Sequence, residues 1–163
     1  MNLKKNLVFL GMMGSGKSSI GFLVSKKLNV KFFDIDSVIE NATGMKISNI
    51  FKEKGESYFR NLEEKTTLKI LKLTNTVVSL GGGGFINEKI RNKVLDNHFS
   101  FWLNWDSQIL LKKIKNSAKR PIAFNSTNHE IIDLIKKRSK IYSKAEFKIN
   151  CNKLTKNEIV KKV

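Results

Sequence analysis

The 163-residue chain alternates short apolar runs with longer stretches whose apolar residues recur at helical spacing. Leu7-Val8-Phe9-Leu10 predicts a first strand over residues 6–10. Beyond a glycine-rich stretch, Ile20, Phe22, Leu23, Val24 and Leu28 predict a helix that ends at Leu28. Val30 to Phe33 predicts a second strand, running into Asp34-Ile35-Asp36. A short helix over 38–41 is broken by Gly44, and helical patterns follow over 47–51 and 58–73. Thr76 to Leu80 predicts a buried third strand, and it runs into four consecutive glycines, Gly81 to Gly84. The remaining pattern predicts a helix over 87–95, a strand over 98–103, a helix over 107–114, a helix over 129–141, a short strand over 147–149 and a helix over 155–163. Strands alternating with helices imply an α/β fold, a mostly parallel sheet sandwiched by helices. No internal repeat, linker or second domain is visible, so residues 1–163 are expected to form one domain.

The stretch between the first strand and first helix carries the chemistry. Gly11-Met12-Met13-Gly14-Ser15-Gly16-Lys17-Ser18 fits G-x-x-x-x-G-K-[ST] at every fixed position, in the strand–loop–helix context that makes it credible. Glycines let successive N–H groups turn inward toward phosphate oxygens. The following helix adds positive partial charge at its N-terminus. Lys17 is suited to β- and γ-phosphates, and the Ser18 hydroxyl to Mg²⁺.

Other candidates follow the strands. Asp34 and Asp36 lie past the second strand, at the end where open α/β sheets bind ligands. In an extended segment both would share one face. One carboxylate suits outer-shell Mg²⁺ and the other a substrate hydroxyl, although Asp36 also reads as a helix N-cap. Arg60 and Glu63 share a helical face, so Glu63 is placed to hold the guanidinium. Four glycines after a buried strand imply close backbone approach. Phe51 and Phe59 read mainly as core, and His98 and His129 as structural or exposed. Residues 115–128 lack apolar periodicity, are polar and basic, and hold the only proline, Pro121, directly after Arg120. They are the candidate lid.

Composition changes this picture in two ways. The net charge of +17 would ordinarily raise nucleic acid as a partner. Here lysines supply nearly all of it, scattered along the chain, and no basic run is interleaved with aromatics. Nucleic acid is therefore not expected as a partner. The same lysine excess makes the four arginines, Arg60, Arg91, Arg120 and Arg138, informative. Arginine where lysine is the default suggests a site needing a planar, bidentate cation. Arg91 is not expected to matter. No apolar run is long enough to span a membrane, and no targeting segment is visible. The single cysteine, Cys151, excludes an internal disulfide and fits a reducing, cytoplasmic setting. A monomer is expected.

Taken together these residues resemble the shikimate kinases, in the nucleoside monophosphate kinase-like branch of P-loop folds, from Leu7 to about Asn150. The resemblance rests on the phosphate loop, the two aspartates after Phe33, Phe59-Arg60-x-x-Glu63, Gly81-Gly82-Gly83, Arg120-Pro121 and Arg138-x-x-x-Tyr142-x-x-Ala145, in order and with family-like spacing. It implies a three-layer α/β/α fold with a five-stranded parallel sheet in the order 2-3-1-4-5. It implies transfer of the γ-phosphoryl of ATP to the 3-hydroxyl of shikimate, with Mg²⁺. Gly14, Ser15, Gly16, Lys17, Ser18 and Ser19 would hold ATP, with Ser18 on Mg²⁺ and Asp34 in its outer shell. Asp36 would bind the ring hydroxyls and help deprotonate the attacking one. Arg60 and Arg138 would grip the carboxylate, and a backbone group at Gly82 would contact the substrate. Arg120 would reach the transferring phosphate from the lid. Gly84 stands where alanine is common in the family, with little effect expected. Ser79 replaces the frequent threonine. Asn150 to Lys153 lacks the usual pattern after the last strand, which leaves the adenine contacts open, Lys153 among the candidates. Another small-metabolite kinase on the same fold, or an ATP-switched RNA- or protein-binding module, are the competing readings.

Overall fold

The computed structural model describes residues 4–115 and 126–163. Five strands, β1 (Leu7–Leu10), β2 (Lys31–Asp34), β3 (Thr76–Ser79), β4 (Phe99–Asn104) and β5 (Phe147–Asn150), form one sheet in the order β2-β3-β1-β4-β5. All four pairings are parallel, the topology the resemblance implies. β1 and β3 are buried along their full length. That is why they read as unbroken apolar runs rather than alternating ones.

Side chains leave successive strand positions on opposite faces, and this divides the core in two. Val8, Leu10, Val78, Leu80 and Trp102 face one cluster; Phe9, Val77, Phe101, Leu103 and Ile149 face the other. The first cluster is covered by α2 (Ile35–Thr43), α3 (Ile47–Ile70), α4 (Glu88–Asn97), α5 (Ser107–Lys115) and α6 (Asn128–Tyr142). These helices contribute Ile39, Phe59, Ile90, Leu110 and Ile135 among others. The second is covered by α1 (Lys17–Leu28) and α7 (Lys156–Lys161), through Ile20, Val24 and Ile159. The result is the three-layer arrangement expected from the element order.

Local chemistry explains the element ends. Thr127 and Thr155 cap α6 and α7 as reciprocal capping boxes with Glu130 and Glu158. The two helices predicted over 47–51 and 58–73 are both present, joined end to end across a kink within α3. Only Gly55 departs from helical geometry, at φ 81° and ψ 167°. The break between the two predicted helices is thus a kink at Gly55, a backbone geometry that glycine tolerates. A one-turn 3₁₀ segment at Gly84–Ile86 lies where the sequence pattern predicts none. Among the described residues, no helix is long and apolar enough to cross a membrane.

Candidate active site

The phosphate loop joins β1 to α1 and is built for an anion by its backbone. Gly11, Gly14 and Gly16 have φ of 139°, 81° and 92°, a region side-chain-bearing residues adopt at a cost. Gly16 caps α1 in the left-handed region; no side chain caps the helix and no acidic residue occupies its first turn. The first-turn N–H groups therefore stay available to a phosphate. Lys17 is buried, and its Nζ donates to the carbonyls of Gly11 and Met12, 3.0 Å each. Ser15 is turned away from the cleft. Its side chain is buried, its N–H goes to Met12 O at 3.1 Å, and its carbonyl accepts from the Trp105 indole N–H at 2.9 Å. Trp105 thus braces the loop, with Lys113 Nζ 3.2 Å from its ring centre.

A cleft of about 280 Å³ opens at the C-terminal ends of β1, β2 and β3. Its walls are Met13, Gly14, Gly16, Lys17, Ser18, Ser19, Asp34, Asp36, Leu80 and Gly82. Most of the residues assigned from sequence to nucleotide, metal and acceptor therefore share one cavity. The two aspartates do so by a different geometry from the expected one. Asp34 ends β2 and caps α2, its Oδ1 accepting from Ser37 N–H at 3.1 Å. Asp36 lies in the first turn of α2 rather than on a shared extended face. It is not the cap; Asp34 is. Burial, then the charges of Asp34 and Glu63, push the Asp36 carboxyl up to about 6, with Lys17 pulling the other way.

The glycine run after β3 closes the site. A Cβ at Gly81 would stand 2.3 Å from Glu63 Oε1 and 2.8 Å from Asp36 Oδ1. One at Gly83 would stand 2.4 Å from Arg60 Nη1. The run is glycine because charged side chains press against its backbone. Asp36 Oδ1 and Glu63 Oε1 are both buried and take no hydrogen bond among the described residues. The other Glu63 oxygen, Oε2, accepts from Arg60 Nη1 at 2.8 Å. Arg60 also donates to Glu56 Oε1 from Nε and Nη2, at 3.2 and 3.1 Å. Its guanidinium lies 5.2 Å from the Phe59 ring centre and 5.8 Å from that of Phe51. The aromatics read as core are thus also the floor under the cation.

Arg138 reaches the same run from α6, its Nη1 donating to Gly82 O at 3.3 Å. Tyr142, one helical turn on, donates to the same oxygen at 2.5 Å. The sequence carries Tyr142 only as part of a spacing motif, and the i, i+4 relation to Arg138 is the signal that links them. Arg91 is not idle: its Nη1 donates to the carbonyls of Ile86 and Phe85, at 3.0 and 3.4 Å, and so ties down the 3₁₀ turn after the glycines. Ser79 is paired in register with Asp34, but its hydroxyl packs toward Gly21 and does not line the cleft. His98 is buried at the entrance to β4, and His129 pairs with Asp133 at 3.0 Å. Arg120 and Pro121, with most of the candidate lid, lie outside the described residues.

A phosphate loop at the end of β1, in a parallel sheet ordered 2-3-1-4-5, opening on a cleft with two aspartates and a glycine wall that two arginines press against, defines a P-loop kinase for a small molecule. Comparison with known proteins gives the family. The shikimate kinase family matches residues 13–163. A shikimate kinase of Sulfurihydrogenibium sp. is 40% identical over 159 residues, covering 98% of this chain and 95% of that one. The Aquifex aeolicus shikimate kinase structure superposes with a TM-score of 0.86 at 34% identity, over 96% of this chain and 92% of that one. The Acinetobacter baumannii shikimate kinase, solved in complex with shikimate, gives 0.91 at 26% identity, over 97% and 89%. The chain belongs to the shikimate kinase family, and its activity is the ATP-dependent phosphorylation of shikimate.

Proposed function

We propose the following division of labour in transfer of the γ-phosphoryl of ATP to the 3-hydroxyl of shikimate. The first-turn N–H groups of α1, with Gly14, Gly16, Ser18 and Ser19, hold the polyphosphate, Ser15 shapes the loop from behind, and Lys17 offsets charge on the outer oxygens. Asp36 accepts the ring hydroxyls and orients the attacking one, its raised proton affinity suiting it to take the proton. Arg60 and Arg138 clamp the carboxylate, and the Gly82 backbone contacts the ring. Arg120, on the candidate lid, neutralises the transferring phosphoryl. The observation that carries this reading is convergence: Lys17, Ser18, Asp34, Asp36 and Gly82 line one cleft, and Arg60 and Arg138 bear on the glycine run that closes it.

The cleft fits Mg²⁺. It offers one hydroxyl, Ser18, and one carboxylate, Asp34. No cluster of three or more His, Cys, Asp or Glu suited to a metal occurs among the described residues. So sparse a donor set suits an ion that keeps waters and takes phosphate oxygens as ligands. Bound there, the ion would neutralise charge between the β- and γ-phosphates. Asp34 Oδ1 is engaged by the helix cap, which orients the carboxylate toward an outer-shell role. The chain acts as a monomer, in the cytoplasm, without a nucleic acid partner.

A coupled ADP-release assay tests the reading, with Mg-ATP and shikimate, and quinate, gluconate and AMP as alternative acceptors. Shikimate-dependent turnover with little from the others is expected. Turnover with another acceptor alone would move the chemistry to a different small-metabolite kinase. ATP hydrolysis indifferent to every acceptor would favour the switch-like binding module.

A further inference from the structure

Two side chains of α6 meet at one carbonyl. Tyr142 donates its hydroxyl to Gly82 O at 2.5 Å, and Arg138 donates Nη1 to the same oxygen at 3.3 Å. Tyr142 is 1% exposed, packed in the core beside Trp102 at 6.2 Å between ring centres. Burial pushes its phenol up to about 12, so it remains a donor throughout the working range. The carbonyl it holds belongs to a residue that lines the cleft. A Cβ at Gly82 would stand 3.4 Å from Met13 N in the phosphate loop and 3.7 Å from Arg138 Nη1. One peptide therefore touches the nucleotide side, the acceptor side and the cation expected to clamp the acceptor.

We propose that Tyr142 is a positioning residue of the acceptor site: its hydroxyl satisfies the Gly82 carbonyl and so keeps the Arg138 guanidinium free to face the substrate carboxylate. The inference rests on the reading of Arg138 as a carboxylate ligand. A partly buried carbonyl beside a guanidinium competes for it, because leaving that oxygen unpaired is costly. The short bond from Tyr142 removes the competition. The Arg138 contact is correspondingly long, toward the limit of a useful hydrogen bond. The guanidinium presents five N–H donors in a fixed planar fork, and a fork drawn squarely onto Gly82 O would no longer meet a carboxylate in bidentate fashion. Without the hydroxyl, either Arg138 swings onto the carbonyl or the Gly82 peptide turns to find another donor. Both disturb acceptor binding before they disturb ATP.

Tyr142→Phe keeps the ring and the packing and removes only the donor. Steady-state kinetics of that variant are expected to show KM for shikimate raised about five- to tenfold, the worth of one such hydrogen bond. KM for ATP should stay within about twofold, the scatter expected for sites that do not couple. Replacing Tyr142 by 4-aminophenylalanine, which restores a donor on the same ring, should recover most of the affinity. In an Arg138→Ala background the Tyr142→Phe change should have less than about a twofold further effect, since the two act as a unit. An unchanged KM for shikimate in Tyr142→Phe, a parallel rise in both KM values, or full additivity with Arg138→Ala would overturn the proposal. If Arg138→Ala raises KM for shikimate while Tyr142→Phe does not, only the positioning role falls. If Arg138→Ala itself leaves that KM unchanged, the carboxylate reading falls and takes the positioning role with it.

Discussion

Two glycine-rich segments face each other across the cleft, and they are glycine for different reasons. In the phosphate loop, Gly11, Gly14 and Gly16 carry positive φ. At Gly16 an added Cβ would find only Ile20 near it, at 4.0 Å. At Gly16 the backbone conformation demands glycine and space does not; at Gly11 both do, with Leu103 O 3.0 Å from where a Cβ would stand. In the run after β3, Gly81 to Gly84 have no positive φ. Yet Gly81 and Gly83 lie against Glu63, Asp36 and Arg60 at distances no side chain could share. There space demands glycine and conformation does not. The first segment curls a backbone so that its own N–H groups meet the ligand. The second yields its side-chain volume so that charged groups from α2 and α3 can crowd the backbone that walls the cleft.

The comparison predicts its largest effect at Gly81. Gly81→Ala must displace the Glu63 carboxylate, which is 2% exposed and anchors Arg60. Overpacking of that kind costs about 1–3 kcal/mol of stability. Its cost to catalysis is greater, because a misplacement on the scale of 1 Å in a reacting constellation costs roughly a hundredfold. Steady-state assays should show kcat/KM for shikimate falling by about that factor, with nucleotide affinity retained. Loss of nucleotide affinity alone would show the two segments to be one functional unit.

Acidity should separate the two segments as well, with a smaller effect. The Asp36 carboxyl is pushed from its ordinary 3.8 up to about 6, by burial first, then by Asp34 and Glu63. A folded-state value above the unfolded one means that between about pH 4 and 6 the folded chain binds more protons than the unfolded chain. From this group alone, stability falls as pH rises through that window, while the ionised form needed to accept a hydroxyl accumulates. Activity and stability should thus run in opposite directions. kcat/KM for shikimate should drop about tenfold for each pH unit below 6, as a single required ionisation dictates. The backbone donors of the phosphate loop do not titrate, so nucleotide binding should show no matching limb at that pH. A shared limb would place the responsible group outside Asp36.

Gly16→Ala probes the other segment. A left-handed residue with a Cβ costs about 1–2 kcal/mol, and at Gly16 no clash adds to it. Thermal or denaturant unfolding should register that loss. KM for ATP should rise and KM for shikimate should change little, the reverse of Gly81→Ala.

How much of this was legible in the sequence follows from the same contrast. The phosphate loop was readable at every position because its pattern encodes backbone geometry, which is local. The sheet order and the grouping of Asp34, Asp36, Arg60, Gly82 and Arg138 came only through the resemblance to the shikimate kinases that the motifs carry. What periodicity alone did not yield is tertiary. Asp36 was expected on an extended face with Asp34, but Asp34 caps α2 through Ser37, and the satisfied cap starts the helix at Ile35, ahead of the predicted 38. The sequence pattern singled out no role for Trp105, and Arg91 was not expected to matter. Their roles depend on carbonyls of Ser15 and of Phe85 and Ile86, groups present at every residue and invisible to a pattern. The glycine run signalled close approach but could not say that Glu63 and Arg60 make it.

Gly84 sharpens the comparison by its indifference. It belongs to the same run, yet it neither adopts positive φ nor lies under a charged group at clashing distance. Its nearest neighbour would be Leu80 Cβ at 3.4 Å, and Glu63 Oε1 would lie at 3.7 Å, which is ordinary contact. It opens the 3₁₀ turn that Arg91 ties down, and alanine is compatible with that conformation. Where a new side chain fits the native backbone, replacing glycine stabilises by about 0.4–1 kcal/mol through the unfolded chain. Gly84→Ala should therefore raise the unfolding midpoint slightly and leave both KM values unchanged. If it instead reproduced the Gly81 defect in a milder form, the run would be constrained as a continuous backbone element. The division drawn between conformational and spatial glycines would then fail at the residue where it is cheapest to test.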